Sequence, residues 1–119
     1  MTELHRILVD GLDYQIALPH RETDYIQGKI AREGAPYELT MLRAMADRLS
    51  PGDLVLDIGA NIGNHSLYLA AAGFTVHAFE PNASLCEALN QSVLALPFTH
   101  MLRRPVDTGR CHPISSLKA

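Results

Sequence analysis

An acidic residue and two glycines occupy positions where side chains and backbone can hold a small ligand. Asp57 comes near the end of an apolar run, and Gly59 and Gly63 follow it in a loop that leads into a helical segment. Glycine has no Cβ, so the backbone of such a loop can approach a ligand closely. Because Asp57 would repel an anion, the pattern favours a ligand that carries a positively charged part.

A second acidic residue, Glu80, ends the apolar run 74–80 and precedes Pro81. It stands 17 positions after Gly63, close to the separation of about 20 residues at which an acid binds the ribose hydroxyls of a nucleotide. Each acid also has an ordinary structural interpretation. Asp57 could be a buried residue that caps the loop, and Glu80 could cap the helix that follows. Their joint occurrence favours a binding site.

The glycine pattern differs from two common phosphate-binding loops. A dinucleotide-binding fingerprint requires glycine at three positions, which in this chain are Gly59, Asn61 and Asn64. A Walker loop requires Gly-Lys-Ser or Gly-Lys-Thr, and neither follows Gly63. The missing glycines therefore disfavour a nucleotide-binding oxidoreductase.

The segments around these residues alternate between strand and helix. Residues 54–58 and 74–80 are apolar runs typical of strands, and residues 64–72 and 83–96 have the spacing of helices. Two parallel strands joined by a helix form a right-handed unit. We therefore predict an α/β, Rossmann-like fold with a partial doubly wound parallel sheet. Continuous apolarity also predicts that strand 54–58 is buried on both faces.

The sequence divides into three parts. Residues 1–35 are predicted to form a β element, with a turn at Asp10-Gly11, and a lead-in that contains a short helix. Residues 36–96 begin with an amphipathic helix and contain the predicted ligand-binding domain. Residues 97–119 hold three of the seven prolines and a net charge of +3, against −6 in the rest of the chain. We predict that they form an irregular tail.

Composition narrows the class of protein. The chain has 119 residues, 47% of them hydrophobic, and a formal net charge of −3, which is typical of one small globular domain. The acidic balance disfavours binding to nucleic acid. Cys111 followed by His112 is too short a cluster for a metal site, so no metal is expected. No apolar run is long enough to span a membrane and the N-terminus does not resemble a signal peptide, so we expect a cytoplasmic protein.

Two stretches of the sequence resemble one known family. VLDIGANIGNHSLYLA (55–70) and VHAFEPN (76–82) are similar to the FkbM family of S-adenosylmethionine-dependent methyltransferases, which have the class I, Rossmann-like fold. In that family the middle glycine of the loop is typically asparagine, as Asn61 is here. The resemblance extends over about residues 25–96, so the chain looks truncated after the second strand and its helix.

The resemblance implies S-adenosylmethionine as the cofactor and a role for each matching residue. The residues that would contact the cofactor are Asp57, Gly59, Asn61, Gly63, Glu80 and Pro81. The first four would form the loop beneath the methionine end, and Asn61 would hydrogen-bond there. Glu80 would bind both ribose hydroxyls, and Pro81 would border the adenine. Glu38, interpreted as a charge at the start of a helix, could also reach the amino group of the cofactor.

The same resemblance implies O-methylation of a hydroxyl on a sugar, lipid-linked or secondary-metabolite acceptor. No catalytic residue is predicted, and His65 is interpreted as a solvent-facing residue of a first helical turn. Because later strands of the fold have no counterpart, we expect the short chain to be inactive by itself. The open edge of its central strand is predicted to self-associate. The alternative is a non-catalytic, cofactor-binding or interaction fragment that pairs through this edge.

Overall fold

The N-terminal segment forms a β-hairpin. The structure, a computed structural model, describes residues 2–96 together with the strands 101–103 and 113–117. Strand β1 (Leu4–Val9) pairs antiparallel with β2 (Leu12–Ala17). Asp10 and Gly11 connect them with φ angles of 51° and 76°. Positive φ at both turn residues matches the twist of the two strands, so the predicted hairpin and its turn are confirmed.

Two helices follow the hairpin, as the sequence predicts. Helix α1 (Tyr25–Glu33) begins where the Asp24 side chain accepts a hydrogen bond from the Gln27 backbone N–H at 2.9 Å. It ends at Gly34, whose φ of 63° is left-handed. Helix α2 (Leu39–Arg48) comes after a short connection.

The central part of the chain has the predicted order of strand and helix. Strand β3 (Leu54–Ile58), helix α3 (Asn64–Ala71), strand β4 (Thr75–Phe79) and helix α4 (Ala83–Leu94) follow one another. Strands β3 and β4 pair parallel, as a crossover through α3 requires. The α/β, Rossmann-like class is therefore confirmed, with helix α3 in contact with both β2 and β4.

The C-terminal residues differ from the irregular tail that the sequence predicts. Strand β5 (Met101–Arg103) and strand β6 (Pro113–Leu117) complete a sheet of order β3-β4-β6-β5. Both new pairings are antiparallel, so the sheet is mixed. Pro113 is the first residue of its strand, where proline is tolerated. Strands of three and five residues are too short to show a clear alternating pattern, and Pro113 further disfavours a strand prediction.

The two faces of the sheet differ in burial. In the parallel register Val55 lies opposite Val76, and Asp57 opposite Ala78. Val76 and Ala78 belong to the buried core, which also contains residues of the hairpin, α3 and α4. The alternate residues of β3, on the other face, are exposed. The prediction that β3 is buried on both faces is therefore wrong for the part of the chain that the structure describes.

The hairpin is held against the helices by a buried hydrogen bond. The backbone N–H of Ala17 donates to the Ser92 hydroxyl oxygen at 2.8 Å, and that hydroxyl donates to the Ala88 carbonyl. The layer of α3 and α4 thus lies between the hairpin and one face of the sheet. Within the described residues, no helix is long and apolar enough to cross a membrane.

Candidate functional site

A cavity of about 170 Å³ opens beside the carboxyl end of β3. Its lining comes from helix α1, from the connection between α1 and α2, from the loop after β3 and from the first turn of α3. Its lining residues include Asp24, Gln27, Tyr37, Glu38, Asp57, Gly59, Asn61, Asn64 and His65. This is the position at which ligands of open α/β sheets bind.

The loop after β3 has the conformation that its glycines allow. Gly59 and Asn61 have φ angles of 77° and 57°. The backbone N–H groups of Gly59 and Ala60 both donate to the Phe79 carbonyl oxygen at 2.9 Å. A Cβ built on Gly59 would meet no atom within 4 Å. The loop is therefore tied to the end of β4 and leaves open space beside Gly59.

Asp57 retains one free carboxylate oxygen. Its side chain is on the helix-covered face of the sheet, where the Ser66 hydroxyl donates to Oδ2 at 2.6 Å. Its Oδ1 has no hydrogen-bond partner within the described part of the chain. The Ser66 bond holds the carboxylate in position, and Oδ1 can accept a hydrogen bond from a ligand.

Glu80 links the end of β4 to both neighbouring loops. It is only 6% exposed. Its Oε1 accepts a hydrogen bond from the Asn61 N–H at 2.8 Å, and its Oε2 accepts one from the Asn82 N–H at 2.9 Å. Glu80 does not line the cavity itself, but it positions the Asn61 backbone that does. Each of its oxygens retains a second lone pair.

Gly63 serves the packing between helices α3 and α4. Its φ is 93°, and a Cβ at this position would overlap the buried Leu89 side chain. Neither Gly63 nor Pro81 lines the cavity. Of the six residues that the sequence predicts for the site, Asp57, Gly59 and Asn61 come together at the cavity. For all six residues the cofactor contact stays a prediction.

No pattern in the sequence indicates the polar residues that build the cavity wall. The side chain of Asn64 is hydrogen-bonded to the Tyr37 backbone, 27 positions away. Gln27 is buried, and its side-chain oxygen accepts a hydrogen bond from the His20 N–H at 2.7 Å. Ser66 supports Asp57. Ser66 stands two positions after Asn64 in the predicted helix, but no local pattern indicates its partner.

The cavity has an acidic lining. The carboxylates of Asp24, Glu38 and Asp57 border it, and no lysine or arginine of the described residues does. His65 lines it as well and is half-buried, so it is partly exposed as the sequence predicts. Within the described residues no cluster of three or more His, Cys, Asp or Glu side chains could hold a metal ion. Cys111 and His112 lie outside the described residues. The acidic lining favours a ligand with a positive charge.

Comparison with known proteins gives matches to methyltransferases. A family model described as TehB, tellurite resistance protein TehB, matches residues 21–103. Protein-L-isoaspartate O-methyltransferase of Methylorubrum extorquens (strain PA1) is 43% identical over 63 residues, which make up 53% of this chain and 27% of that protein. The 31-O-demethyl-FK506 methyltransferase FkbM of Streptomyces tacrolimicus is 60% identical over 35 residues, 28% of this chain and 14% of that protein.

A solved structure shares the fold. The tRNA (uracil-54, C5)-methyltransferase of Pyrococcus abyssi, in complex with S-adenosyl-L-homocysteine, superposes with a TM-score of 0.50 and 22% identity. The match covers 78% of this chain and 21% of that chain. The chain thus spans less than a third of the length of each of these relatives.

Proposed function

Because the chain belongs to the TehB family, we propose that it binds S-adenosylmethionine at the cavity beside β3 and contributes this site to methyl transfer. S-adenosylmethionine is the cofactor. The observation that carries the proposal is the position of the cavity: it lies at the carboxyl end of β3, between the open space at Gly59 and the free oxygen of Asp57.

The residues present fit the methionine end of this cofactor. That end carries an ammonium group, a carboxylate and a sulfonium, so its net charge is positive. Among the described residues the cavity lining carries carboxylates without a lysine or arginine. The volume of about 170 Å³ is below the range of roughly 300–1,000 Å³ that is usual for small-molecule pockets. We therefore propose that the described residues enclose only part of the cofactor.

Glu80 and Pro81 keep the roles that the resemblance implies. Glu80 would accept hydrogen bonds from the ribose hydroxyls with its second lone pairs, and Pro81 would border the adenine. Gly63 would act indirectly, because it allows α3 to begin against Leu89. Support for the Glu80 role comes from its hydrogen bond to the Asn61 N–H, since this joins it to the cavity-lining loop.

In methyl transfer the chain's own residues would bind and orient. The bound cofactor supplies a methyl group on a good leaving group, so alignment of the acceptor is the main requirement. Asp57, Gly59 and Asn61 would hold one wall of the site. The acceptor wall would have to come from residues beyond these, and we therefore propose that the chain alone binds the cofactor without turnover.

The acceptor that we propose is a hydroxyl on a sugar, lipid-linked or secondary-metabolite molecule, as in FkbM-type O-methylation. Its support is the 60% identity to the FkbM methyltransferase, which is confined to 35 residues. The Pyrococcus abyssi enzyme is named for tRNA, but at 22% identity the likeness concerns the fold alone. A small-molecule or glycan acceptor agrees with the net charge of −3.

A second candidate function is an interaction fragment that associates through β3. Within the described part of the chain, β3 pairs with β4 alone, so its other edge offers unpaired backbone groups. Leu54, Leu56 and Ile58 are exposed on the same strand. This edge and its apolar residues favour self-association over a monomer.

Binding is tested by calorimetry of the purified chain with S-adenosylhomocysteine and, separately, with NAD. We expect S-adenosylhomocysteine to bind and NAD not to bind. Gly59→Val should abolish binding, because a branched side chain enters the open space beside the loop. Gly34→Val is the control, since Gly34 also has positive φ and open surroundings but lies away from the cavity. Normal binding by a folded Gly59→Val chain would show that the loop is only a turn.

Glu80→Ala and a turnover assay complete this test. Loss of the charged acceptor should weaken the binding of S-adenosylhomocysteine by about 1.5–3 kcal/mol per hydrogen bond. Unchanged affinity would show that Glu80 does not contact the cofactor. A radiolabelled methyl-transfer assay with hydroxylated acceptors should give no turnover for the chain alone. Size-exclusion chromatography in parallel reports the association that the second function requires.

A further inference from the structure

One asparagine joins two of the segments that line the cavity. Asn64 Oδ1 accepts a hydrogen bond from the Tyr37 N–H at 2.8 Å, and Asn64 Nδ2 donates to the Tyr37 carbonyl oxygen at 2.8 Å. A side-chain amide that pairs with both backbone groups of one residue fixes its position and its orientation. The connection between α1 and α2 is therefore attached to the first residue of α3, beside the cavity.

Glu38, the next residue, has an unusual backbone conformation. Its φ and ψ are 56° and 47°, in the left-handed region, although it is not glycine. It precedes helix α2 as the N-cap residue, but its side chain makes no capping hydrogen bond. Non-glycine residues in this conformation cluster at binding sites, because surrounding contacts must hold them there. The paired hydrogen bonds of Asn64 to the adjacent residue supply such contacts.

The Glu38 carboxylate has no ion-pair or hydrogen-bond partner in the part of the chain that the structure describes. It is exposed and lines the cavity together with Asp57. The nearby cation Lys29 is placed over the Tyr37 ring, with Nζ 5.6 Å from its centre, and does not line this cavity. A carboxylate held at a cavity without a partner can receive a cationic group of a ligand.

We propose that Asn64 is a positioning residue that holds Glu38 at the cavity, and that the Glu38 carboxylate binds the ammonium group of the cofactor's amino-acid part. This inference rests on the proposed function, because it assumes that the cofactor's methionine end enters this cavity. Of the two interpretations of Glu38, a charge at a helix start or a cofactor contact, it selects the second. It also assigns a reason for the hydrogen bonds between Asn64 and Tyr37, which is to hold Glu38 in place.

The proposal is tested by calorimetry with two ligands that differ in the amino-acid part. S-adenosylhomocysteine carries the ammonium group, whereas 5′-methylthioadenosine has the adenosine and the sulfur without it. Glu38→Gln should weaken S-adenosylhomocysteine about tenfold or more, as loss of a charged hydrogen bond implies, and leave 5′-methylthioadenosine unchanged. Glu87→Gln, on the exposed face of α4, is the matched control and should change neither affinity.

Asn64→Ala should weaken the binding of S-adenosylhomocysteine as Glu38→Gln does, and should leave the binding of 5′-methylthioadenosine unchanged. The double variant should bind S-adenosylhomocysteine about as weakly as either single variant, because both remove one contact. Asn90→Ala serves as the matched control. Equal losses for both ligands, or additive losses in the double variant, would overturn the positioning role. Unchanged S-adenosylhomocysteine affinity in Glu38→Gln would overturn the ammonium contact. If the wild-type chain binds neither ligand, the proposed function itself fails and this inference falls with it.

Discussion

The two faces of strand β3 have opposite characters. On the face covered by helices, Asp57 is half-buried and is supported by Ser66. On the other face Leu54 and Leu56 are each 58% exposed and Ile58 is 72% exposed. A polar residue therefore lies toward the interior while apolar residues lie outside, which is the reverse of the usual arrangement.

The two faces of this five-residue strand therefore suit two different functions. The covered face supplies the Asp57 carboxylate to the cavity. A half-buried charge of this kind is usually stabilised by a hydrogen bond or by a ligand. Within the part of the chain that the structure describes, the other face supplies exposed apolar area and an unpaired strand edge, which favour contact with another surface. The same strand thus holds the proposed cofactor site on one side and the proposed association surface on the other.

The sharpest test of the comparison is to truncate a leucine on each side. Leu67 is fully buried in α3, whereas Leu56 is exposed on β3. Leu67→Ala should lower the free energy of unfolding by about 2–5 kcal/mol, because it removes buried contacts and leaves a cavity. Leu56→Ala should cost less than about 0.5 kcal/mol. Urea unfolding measures both, and equal losses would show that the second face of β3 is covered in solution.

The two loop glycines allow a second test on the covered side. Gly63→Ala should destabilise the chain by about 2–4 kcal/mol, because its methyl group overlaps Leu89 and its φ is positive. Gly59→Ala has the same type of backbone cost but open space, so we expect about 1 kcal/mol. Thermal unfolding distinguishes the two. A Gly63→Ala chain as stable as Gly59→Ala would contradict the close packing of α3 on α4.

A charge on this exposed face of β3 should change association while leaving the fold intact. Leu56→Lys places a lysine at the exposed edge strand, where such charges oppose strand pairing. Sedimentation velocity should show concentration-dependent association for the wild-type chain and a monomer for the variant. Leu94→Lys, an exposed leucine on α4, is the control and should associate as the wild type does. Identical association of both variants would place the contact elsewhere.

The smallest expected effect concerns an ion pair on the covered side. Arg43 donates two hydrogen bonds to the Asp10 carboxylate, at 2.7 and 2.9 Å, and Tyr68 donates a third. These bonds hold the pKa of Asp10 below its ordinary value of 3.8, with the Arg43 bond as the largest cause. Burial, followed by the bond to Asp10, raises the pKa of Tyr68 to about 12.

Since the pKa of Asp10 is lower in the folded chain, its stabilising contribution is present above the unfolded pKa and is lost as pH falls through the folded one. Arg43→Met should therefore melt at a lower temperature than the wild type at neutral pH, and the difference should shrink below pH about 4. Melting curves of both proteins, recorded from neutral pH to below pH about 4, measure this difference in melting temperature. A difference that is independent of pH would mean that Arg43 acts through packing alone.

Much of the local structure could be predicted from the sequence because its causes are local. The turn at Asp10-Gly11 needs residues that tolerate positive φ, and Asn82 caps helix α4 through its hydrogen bond from the Leu85 N–H at 3.0 Å. The sequence also predicts that the loop with Asp57 and Gly59 could hold a ligand, because the residues that make this possible are nearly consecutive.

The sequence by itself determined which segments between residues 4 and 94 become strands and helices, and which loop could hold a ligand, because propensity, capping and turn chemistry act over a few residues. It did not indicate the short strands β5 and β6. Only the tertiary structure decided which face of β3 is covered, because the same apolar run is compatible with a strand buried on one face and with a strand buried on both. It also decided that the Asn64 side chain is hydrogen-bonded to the Tyr37 backbone, and that Glu80 accepts hydrogen bonds from the backbones of two loops. These contacts depend on how separate elements pack. Packing brings such residues together across many positions, and no spacing along the chain encodes that distance.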